Sequence, residues 1–285
     1  CFNAIYATCE AGDEVIIPAP YWLSYPEMAK LAGATPVIID TTDASEFKVT
    51  PEQLREAITP KTKLFILNSP SNPTGSVYSK EEIRALGDVC VENGVLIMSD
   101  DIYEKLVYDG AEFTSVTGFS EEHLAHTIIV HGLAKAYSMT GWRIGFLAAP
   151  KPIAQAINAL QSHSTSNATS FAQKGAVAAL TGPQTHLDDW LTEFNKRRTY
   201  AADRLNKMPG VSCVNSQGAF YLFPNIEGTG LKSAEFCERL LEHSKVAAVP
   251  GIAFGADNNF RISYATSMDN IQKGMDRLEE FCKNL

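Results

Sequence analysis

The sequence predicts an α/β fold in which a doubly wound, mostly parallel sheet precedes a smaller α+β lobe. Short, nearly continuous apolar runs alternate with helical patterns in the first half, which is typical of parallel strands buried on both faces. From about residue 151 the pattern changes to long helices and then to mixed strands and helices. A chain of 285 residues favours about two domains. We therefore predict a large domain over 1–185 and a small C-terminal domain over 186–285.

The predicted strands of the large domain share a β-branched composition with almost no polar interruption. They cover residues 14–18, 36–40, 63–68, 95–100, 127–131 and, after a loop, 143–149. Helical patterns separate the earlier strands, at 22–32, 51–58 and 79–93. The second of these helices begins after Thr50 and the third at Ser79, and hydroxyl side chains favour helix N-caps. Alternating strands and helices predict right-handed crossovers within one doubly wound sheet.

Helical periodicity dominates the start of the second half. The predicted helices cover 151–164, 168–181 and 184–207, and the last is long enough to link two domains. Strands at 211–215, 219–223, 246–250 and 260–264 and helices at 232–244 and 267–283 complete the small lobe. The first eight residues resemble the middle of a helix whose beginning is absent, so we expect the chain to be cut at its front.

Composition excludes several classes of function. With 24 basic and 33 acidic residues the formal net charge is −9, which argues against a nucleic-acid or anionic-membrane partner. The apolar runs are too short to span a bilayer. Six scattered cysteines without a CxxC pair favour reduced thiols and a cytoplasmic location. His123 and His126 form an HxxH pair that we interpret as a solvated helix face, so no metal site is predicted.

Four polar segments stand out, and the first three lie where predicted strands end, which is the edge at which open α/β sheets bind ligands. They are Asn68–Gly75, Ser99–Tyr103, Lys135–Arg143 and Phe260–Tyr264. Each is weak evidence alone: Asn72–Gly75 is compatible with a simple turn, Asp100 with a helix cap, and Lys135 with a solvated loop lysine.

Together these segments resemble a known family. In order and spacing, they are similar to the fold-type I aminotransferases that use pyridoxal phosphate (PLP), and most similar to the prokaryotic subgroup of the aspartate aminotransferase family. The matching motifs are Pro18–Trp22, Asn68–Gly75, Asp100–Tyr103, Lys135–Arg143 and Arg261–Thr266, and the likeness runs from residue 2 to residue 283. The resemblance implies the PLP-transferase fold, in which the large domain binds the cofactor.

The resemblance also implies roles for two catalytic groups. Lys135 resembles the lysine that forms a Schiff base with PLP, and its amine would then carry a proton between substrate and cofactor. A catalytic lysine must be partly neutral, which burial and neighbouring cations favour. Asp100 resembles the carboxylate that keeps the pyridine nitrogen protonated and so deepens the electron sink.

The same resemblance implies five further binding residues. Asn72 and Tyr103 are similar to the donors that hold the phenolic oxygen of the cofactor, and Tyr103 is also counted among the catalytic groups. Arg143 resembles the arginine that binds the phosphate. Arg261 resembles the arginine that binds the α-carboxylate of the substrate, and Asn72 is also expected to contact the substrate. Trp22 resembles the aromatic residue that packs on the cofactor and the substrate.

The front of the chain departs from the family. Relatives carry roughly a quarter more chain before the first helix. The resemblance implies that this part holds a glycine-rich phosphate loop, a tyrosine that crosses the dimer and a lysine that binds the distal carboxylate. A homodimer with active sites at the interface is also expected on resemblance.

The sequence therefore predicts an aminotransferase that moves an amino group between an amino acid and a 2-oxo acid by a ping-pong route. Aspartate and 2-oxoglutarate are the favoured pair on resemblance alone. Two alternatives stay open: a PLP-dependent lyase that carries out β-elimination, and a catalytically silent PLP-binding regulatory module.

Overall fold

A six-stranded sheet forms the centre of the first part of the chain. The computed structural model describes residues 1–285, and the order of strands in this sheet is β2-β1-β3-β4-β5-β6. The first five strands are parallel, and β6 runs antiparallel to β5. The strands are β1 (Glu14–Ala19), β2 (Thr35–Asp40), β3 (Thr62–Asn68), β4 (Leu96–Asp100), β5 (Thr127–Gly132) and β6 (Gly145–Ala148).

Helices cover both faces of this sheet, as the doubly wound prediction requires. They are α1 (Phe2–Thr8), α2 (Ser24–Leu31), α3 (Pro51–Ala57), α4 (Lys80–Glu92), α5 (Glu121–His126), α6 (Lys151–Ser164) and α7 (Ser170–Thr181). Thr50 and Ser79 cap α3 and α4, since their hydroxyl oxygens accept hydrogen bonds from the backbone N–H three residues later, at 3.2 Å in both cases. The fold class predicted from the sequence is thus confirmed.

The side chains of the central strands alternate between two apolar cores because successive residues of a strand point to opposite faces. Ile16, Phe65 and Ile97 pack against α3 and α4 on one face. Residues of α1, α2 and α6 pack on the other face, with Val15 and Met98 among the strand residues they cover. Burial on both faces explains why these strands are continuous apolar runs in the sequence.

A second, three-stranded sheet lies in the C-terminal part, in the order β7-β9-β8. Its strands are β7 (Tyr221–Leu222), β8 (Val249–Pro250) and β9 (Phe260–Ser263), and its helices are α8 (Thr185–Leu205), α9 (Ser233–Ser244) and α10 (Met268–Lys283). The three helices, β7 and β9 contribute to a separate apolar core of 18 buried residues. The division of the chain between residues 185 and 186 remains a prediction.

Three local expectations were wrong. Residues 211–215 form no strand, because only Ser212 bridges to Asn225. The strand expected over 143–149 begins at Gly145, since Arg143 adopts a left-handed conformation at φ 50°. His123 is buried rather than solvated, because its ring packs where Gly87 of α4 has no side chain.

No helix of the structure combines the length and the apolar composition needed to cross a membrane.

Candidate active site

The carboxyl ends of β3 and β4 bring two polar segments together. Asn68 and Asp100 are paired in the sheet register, and the Asn68 side-chain amide donates a hydrogen bond to the Asp100 carbonyl at 2.8 Å. The Asn68 side-chain oxygen accepts a hydrogen bond from the backbone N–H of Asn72, also at 2.8 Å. Asn68 therefore ties the loop that carries Asn72 to the strand that carries Asp100, a role that sequence reasoning did not assign to it.

The Asp100 carboxylate is buried and forms no ion pair with another side chain. Burial raises its pKa, and the hydrogen bond from the Tyr25 hydroxyl opposes this rise. Tyr25 donates a hydrogen bond to Asp100 Oδ2 at 2.6 Å. Trp22 packs edge-on against Tyr25 with 5.2 Å between the ring centroids, and so lies beside Asp100's partner. A buried carboxylate of this kind favours a cationic or N–H donor as its ligand.

Lys135 lies in the loop after β5, with its amine facing two aromatic rings. Its Nζ is 5.7 Å from the ring centroid of Tyr103 and 5.6 Å from that of Phe220. Partial burial lowers the pKa of the Lys135 amine, and the charge of Arg261 lowers it further. Asp100 opposes this effect, and Arg143 adds a smaller lowering. A lysine amine with a lowered pKa is more often neutral at physiological pH, which proton transfer and nucleophilic attack both require.

Arg261 of β9 is held beside Asn72 by one hydrogen bond and two aromatic rings. Its Nη1 donates to the side-chain oxygen of Asn72 at 2.8 Å. Its guanidinium carbon lies 4.5 Å from the ring centroid of Tyr221 and 5.0 Å from that of Phe254. Its Nε is buried without a hydrogen-bond partner. Because a buried donor without a partner is costly, this arrangement favours binding of a carboxylate by the fork of N–H groups.

Tyr103 is nearly fully buried just after β4, and its hydroxyl lies 3.0 Å from the hydroxyl of Tyr221. Burial raises the pKa of the Tyr103 phenol, and the neighbouring Tyr221 raises it further. Tyr103 therefore stays protonated and can donate a hydrogen bond to a ligand.

Arg143 makes no direct contact with the other predicted site residues. It is exposed, and its Nη1 donates to the carbonyl of Thr140 at 3.0 Å. Its charge contributes to the lowered pKa of the Lys135 amine. Arg143 also lines a surface hollow with Ser138, Gly141, Trp142, Thr169 and Phe171.

The loop at 72–75 is more than the simple turn that its sequence allows. Gly75 has φ +72° and lies so close to the C-terminal part that a Cβ would stand 2.6 Å from Ser216 Oγ and 2.7 Å from the Gly218 carbonyl. Only glycine accommodates both the positive φ and this approach. The loop that carries Asn72 therefore packs closely against the segment that leads to β7.

A second carboxyl group lies behind the site. Asp101 is buried and accepts a hydrogen bond from Ser99 Oγ at 2.6 Å, and burial raises its pKa to about 7. His131 lowers the pKa of Asp101, whereas Glu104 raises it. His131 Nε2 is 3.2 Å from Glu104 Oε1, and its ring stacks on Phe146. Sequence reasoning singled out the segment Ser99–Tyr103 but did not name His131 or Glu104.

The structure thus brings Asn72, Asp100, Tyr103, Lys135 and Arg261 together, with Trp22 reached through Tyr25 and Arg143 at the rim. Sequence reasoning missed Tyr25, Asn68, Tyr221 and Phe254. Tyr25 could have been found from the sequence, since it follows Trp22 by three residues. Tyr221 and Phe254 carry no local signal, because their contact with Arg261 depends on the packing of distant segments.

Comparisons with known proteins show the family of the chain. The family model described as aminotransferase class I and II matches residues 2–278. The chain is 52% identical to an aspartate aminotransferase of Geobacillus stearothermophilus over 95% of this chain and 70% of that protein. It is 47% identical to an aspartate/prephenate aminotransferase of Cereibacter sphaeroides over 100% of this chain and 74% of that protein.

A solved structure agrees with these relatives. The aspartate aminotransferase of Rhizobium meliloti superposes with a TM-score of 0.95 at 40% identity, over 99% of this chain and 73% of that one. Its fold is thus the fold of this chain, and the predicted resemblance is confirmed. On the family model, the sequence identity and the superposition together, the chain belongs to the class I and II aminotransferase family.

Proposed function

We propose that this aminotransferase moves the amino group of aspartate to 2-oxoglutarate, and that Lys135, Asp100, Tyr103, Asn72, Arg143, Arg261 and Trp22 hold the cofactor and substrate. The observation that carries the proposal is the Arg261 guanidinium, which has one buried, unpartnered N–H and lies in a site that also contains a lysine of lowered pKa. The relatives whose names include aspartate favour this donor over others.

Class I aminotransferases depend on PLP, and the donor set of this site fits that cofactor. The buried Asp100 carboxylate forms no ion pair with another side chain and suits a protonated ring nitrogen. Tyr103 and Asn72 would bind the phenolic oxygen, Arg143 the phosphate, and Trp22 the ring face. When bound, PLP supplies the electron sink that stabilises negative charge at the substrate Cα.

The side chains of the protein contribute binding, orientation and proton transfer. The N–H fork of Arg261 binds the α-carboxylate of the substrate, because a planar guanidinium matches a carboxylate in two parallel hydrogen bonds. This grip fixes the direction of the Cα–H bond, an orientation effect that is worth orders of magnitude in rate. The Nζ of Lys135 would accept the Cα proton of the donor amino acid and, in the second half-reaction, give a proton to Cα of the new amino acid. Burial and the charge of Arg261 lower the pKa of this amine, which favours the neutral form that accepts a proton.

Isotope transfer tests the proposal. We expect the purified protein with PLP, ¹⁵N-labelled aspartate and 2-oxoglutarate to give labelled glutamate and oxaloacetate in equal amounts. Cysteine carries a leaving group on Cβ, so pyruvate, sulfide and free ammonia formed from cysteine without an acceptor would indicate a β-eliminating lyase instead. Bound PLP without any turnover of an amino acid panel would indicate a silent binding module.

The assembly and the location of the protein belong to the same proposal. We propose a homodimer, supported by the exposed apolar side chains Trp142 and Phe171 beside Arg143, at the rim of the site. Light scattering on the purified protein should give twice the chain mass of 31.1 kDa. A cytoplasmic location is supported by six cysteines that form no disulfide, and fractionation of the source cells tests it.

A further inference from the structure

We propose that Tyr221 is a positioning residue that couples the cofactor end of the active site to the end that binds the substrate carboxylate. Its hydroxyl contacts Tyr103 and its ring contacts Arg261. The inference rests on the proposed function and deepens it, because it names a residue that acts through two binding residues rather than on the substrate itself.

The hydroxyl of Tyr221 prepares Tyr103 as a donor. The two phenolic oxygens are 3.0 Å apart, and the residues are only 6% and 2% exposed. A phenol has a single hydrogen to donate, so when Tyr221 donates to Tyr103, the hydrogen of Tyr103 remains available for a ligand oxygen. Donation along such a chain also polarises the second hydroxyl and strengthens its own hydrogen bond. The charged groups that face Tyr103 are Asp100, Lys135 and Arg261.

The ring of Tyr221 orients the arginine. The Arg261 guanidinium carbon is 4.5 Å from the Tyr221 centroid, closer than the 5.0 Å to Phe254. Stacking on these rings limits rotation of the guanidinium, while Nη1 is held by Asn72. The plane of the fork is therefore fixed before a carboxylate binds, which lowers the entropy cost of binding.

The backbone that carries Tyr221 is itself fixed by buried hydrogen bonds. Ala219 has φ +55°, a conformation that a non-glycine residue holds only where the surroundings over-determine it. The Ala219 carbonyl accepts hydrogen bonds from the hydroxyls of Tyr108 at 2.6 Å and Tyr264 at 3.1 Å. Its N–H donates to the Leu106 carbonyl at 2.9 Å. Tyr221 lies two residues after Ala219, so these hydrogen bonds also fix the position of its backbone.

Tyr221→Phe tests the hydroxyl, because phenylalanine keeps the ring. The readout is the pH midpoint of the absorbance change of bound PLP, measured without substrate. Tyr103 stabilises the unprotonated phenolic oxygen, so weakening its donation should raise that midpoint, by roughly 0.3 to 1 pH unit. Tyr103→Phe should raise the midpoint at least as much, and the Tyr103→Phe/Tyr221→Phe double variant should show no further shift. Tyr200→Phe, which loses a hydroxyl bonded to Arg204 instead, should leave the midpoint unchanged.

Tyr221→Leu tests the ring. We expect its KM for the amino acid to exceed that of Tyr221→Phe by about two- to fivefold, because the cation–π contact with Arg261 is lost. Thermal unfolding of each variant with PLP bound checks that the fold is kept. The role of the Tyr221 hydroxyl is decided by Tyr221→Phe alone.

The outcomes separate this inference from the proposed function. A wild-type protein that binds PLP and exchanges amino groups, but whose midpoint is identical in Tyr221→Phe, overturns the coupling and leaves the function intact. Additive shifts in the double variant also overturn it, since they place Tyr221 outside the hydrogen bond of Tyr103. Failure of the wild-type protein to bind PLP would overturn both.

Discussion

Substitution of Arg198 of α8 tests which contacts hold together the chain segments that carry the active-site residues. Its guanidinium is 1% exposed and donates to Asn195 Oδ1 at 2.8 and 3.0 Å, to Asn215 Oδ1 at 2.6 Å and to the Ser216 carbonyl at 2.7 Å. It also pairs with Asp109 and lies over the ring of Tyr108. These contacts join the segment after β4 to the segment that leads to Tyr221.

Arg198→Met keeps an unbranched apolar stem in place of the aliphatic part of the arginine and removes every donor. The pair with Asp109 contributes little of the loss, since that carboxylate is 42% exposed and solvent screens it. The main cost is the buried Ser216 carbonyl and the amide oxygens that lose their partners. At about 1 to 3 kcal/mol for a buried unsatisfied group, we expect the free energy of unfolding to fall by roughly 3 kcal/mol.

Urea unfolding followed by circular dichroism measures this loss, and the neighbouring Arg197 gives the matched control. Arg197 pairs with Glu193 on the surface of the same helix, so Arg197→Met should cost less than about 0.5 kcal/mol. Equal losses in the two variants would refute the claim that Arg198 fastens the two segments together.

Three further predictions concern the site itself. Lys135→Ala should abolish amino transfer while PLP still binds noncovalently. Borohydride trapping followed by peptide mass spectrometry should therefore find no PLP attached to the chain. The control is Lys151→Ala, which replaces an exposed lysine and should behave as wild type. Tyr25→Phe removes a hydrogen bond that lowers the pKa of Asp100, so the acid limb of kcat/KM should move to higher pH by roughly half to one unit, and an unmoved limb would contradict this role. Asp101→Asn tests the pKa of about 7. Because burial raises this pKa above its value in the unfolded chain, the wild-type protein loses stability as the pH rises from about 4 to 7. The difference in unfolding free energy in favour of Asp101→Asn should therefore grow over that pH range and then level off. A difference that stays constant would show that Asp101 does not titrate there.

Much of this fold was predictable because its physical causes are local. Burial on both faces makes the strands of the large sheet continuous apolar runs, and hydroxyl residues cap α3 and α4 as their positions predict. The stretch at 211–215 was not predictable in the same way, because alternating apolar residues there pack without a partner strand. The antiparallel direction of β6 likewise depends on the path of the loop between β5 and β6, not on the composition of the strand.

The site shows the same division. Its chemically distinctive residues stand at strand ends or in motifs, so Asn72, Asp100 and Lys135 could be named from the sequence by resemblance. The groups that hold them could not. Tyr221 and Phe254 reach Arg261 only through tertiary packing, and an aromatic residue in a short apolar run is indistinguishable from an ordinary core residue.

The most direct test of the central claim is the absorbance spectrum of the purified protein with PLP, recorded through both half-reactions. Aspartate alone should convert the bound cofactor to its pyridoxamine form, and 2-oxoglutarate should then restore the original spectrum. The same cycle should be absent in Lys135→Ala. A spectrum that aspartate leaves unchanged in the wild-type protein, with PLP bound, would contradict the account of this site as an aspartate aminotransferase.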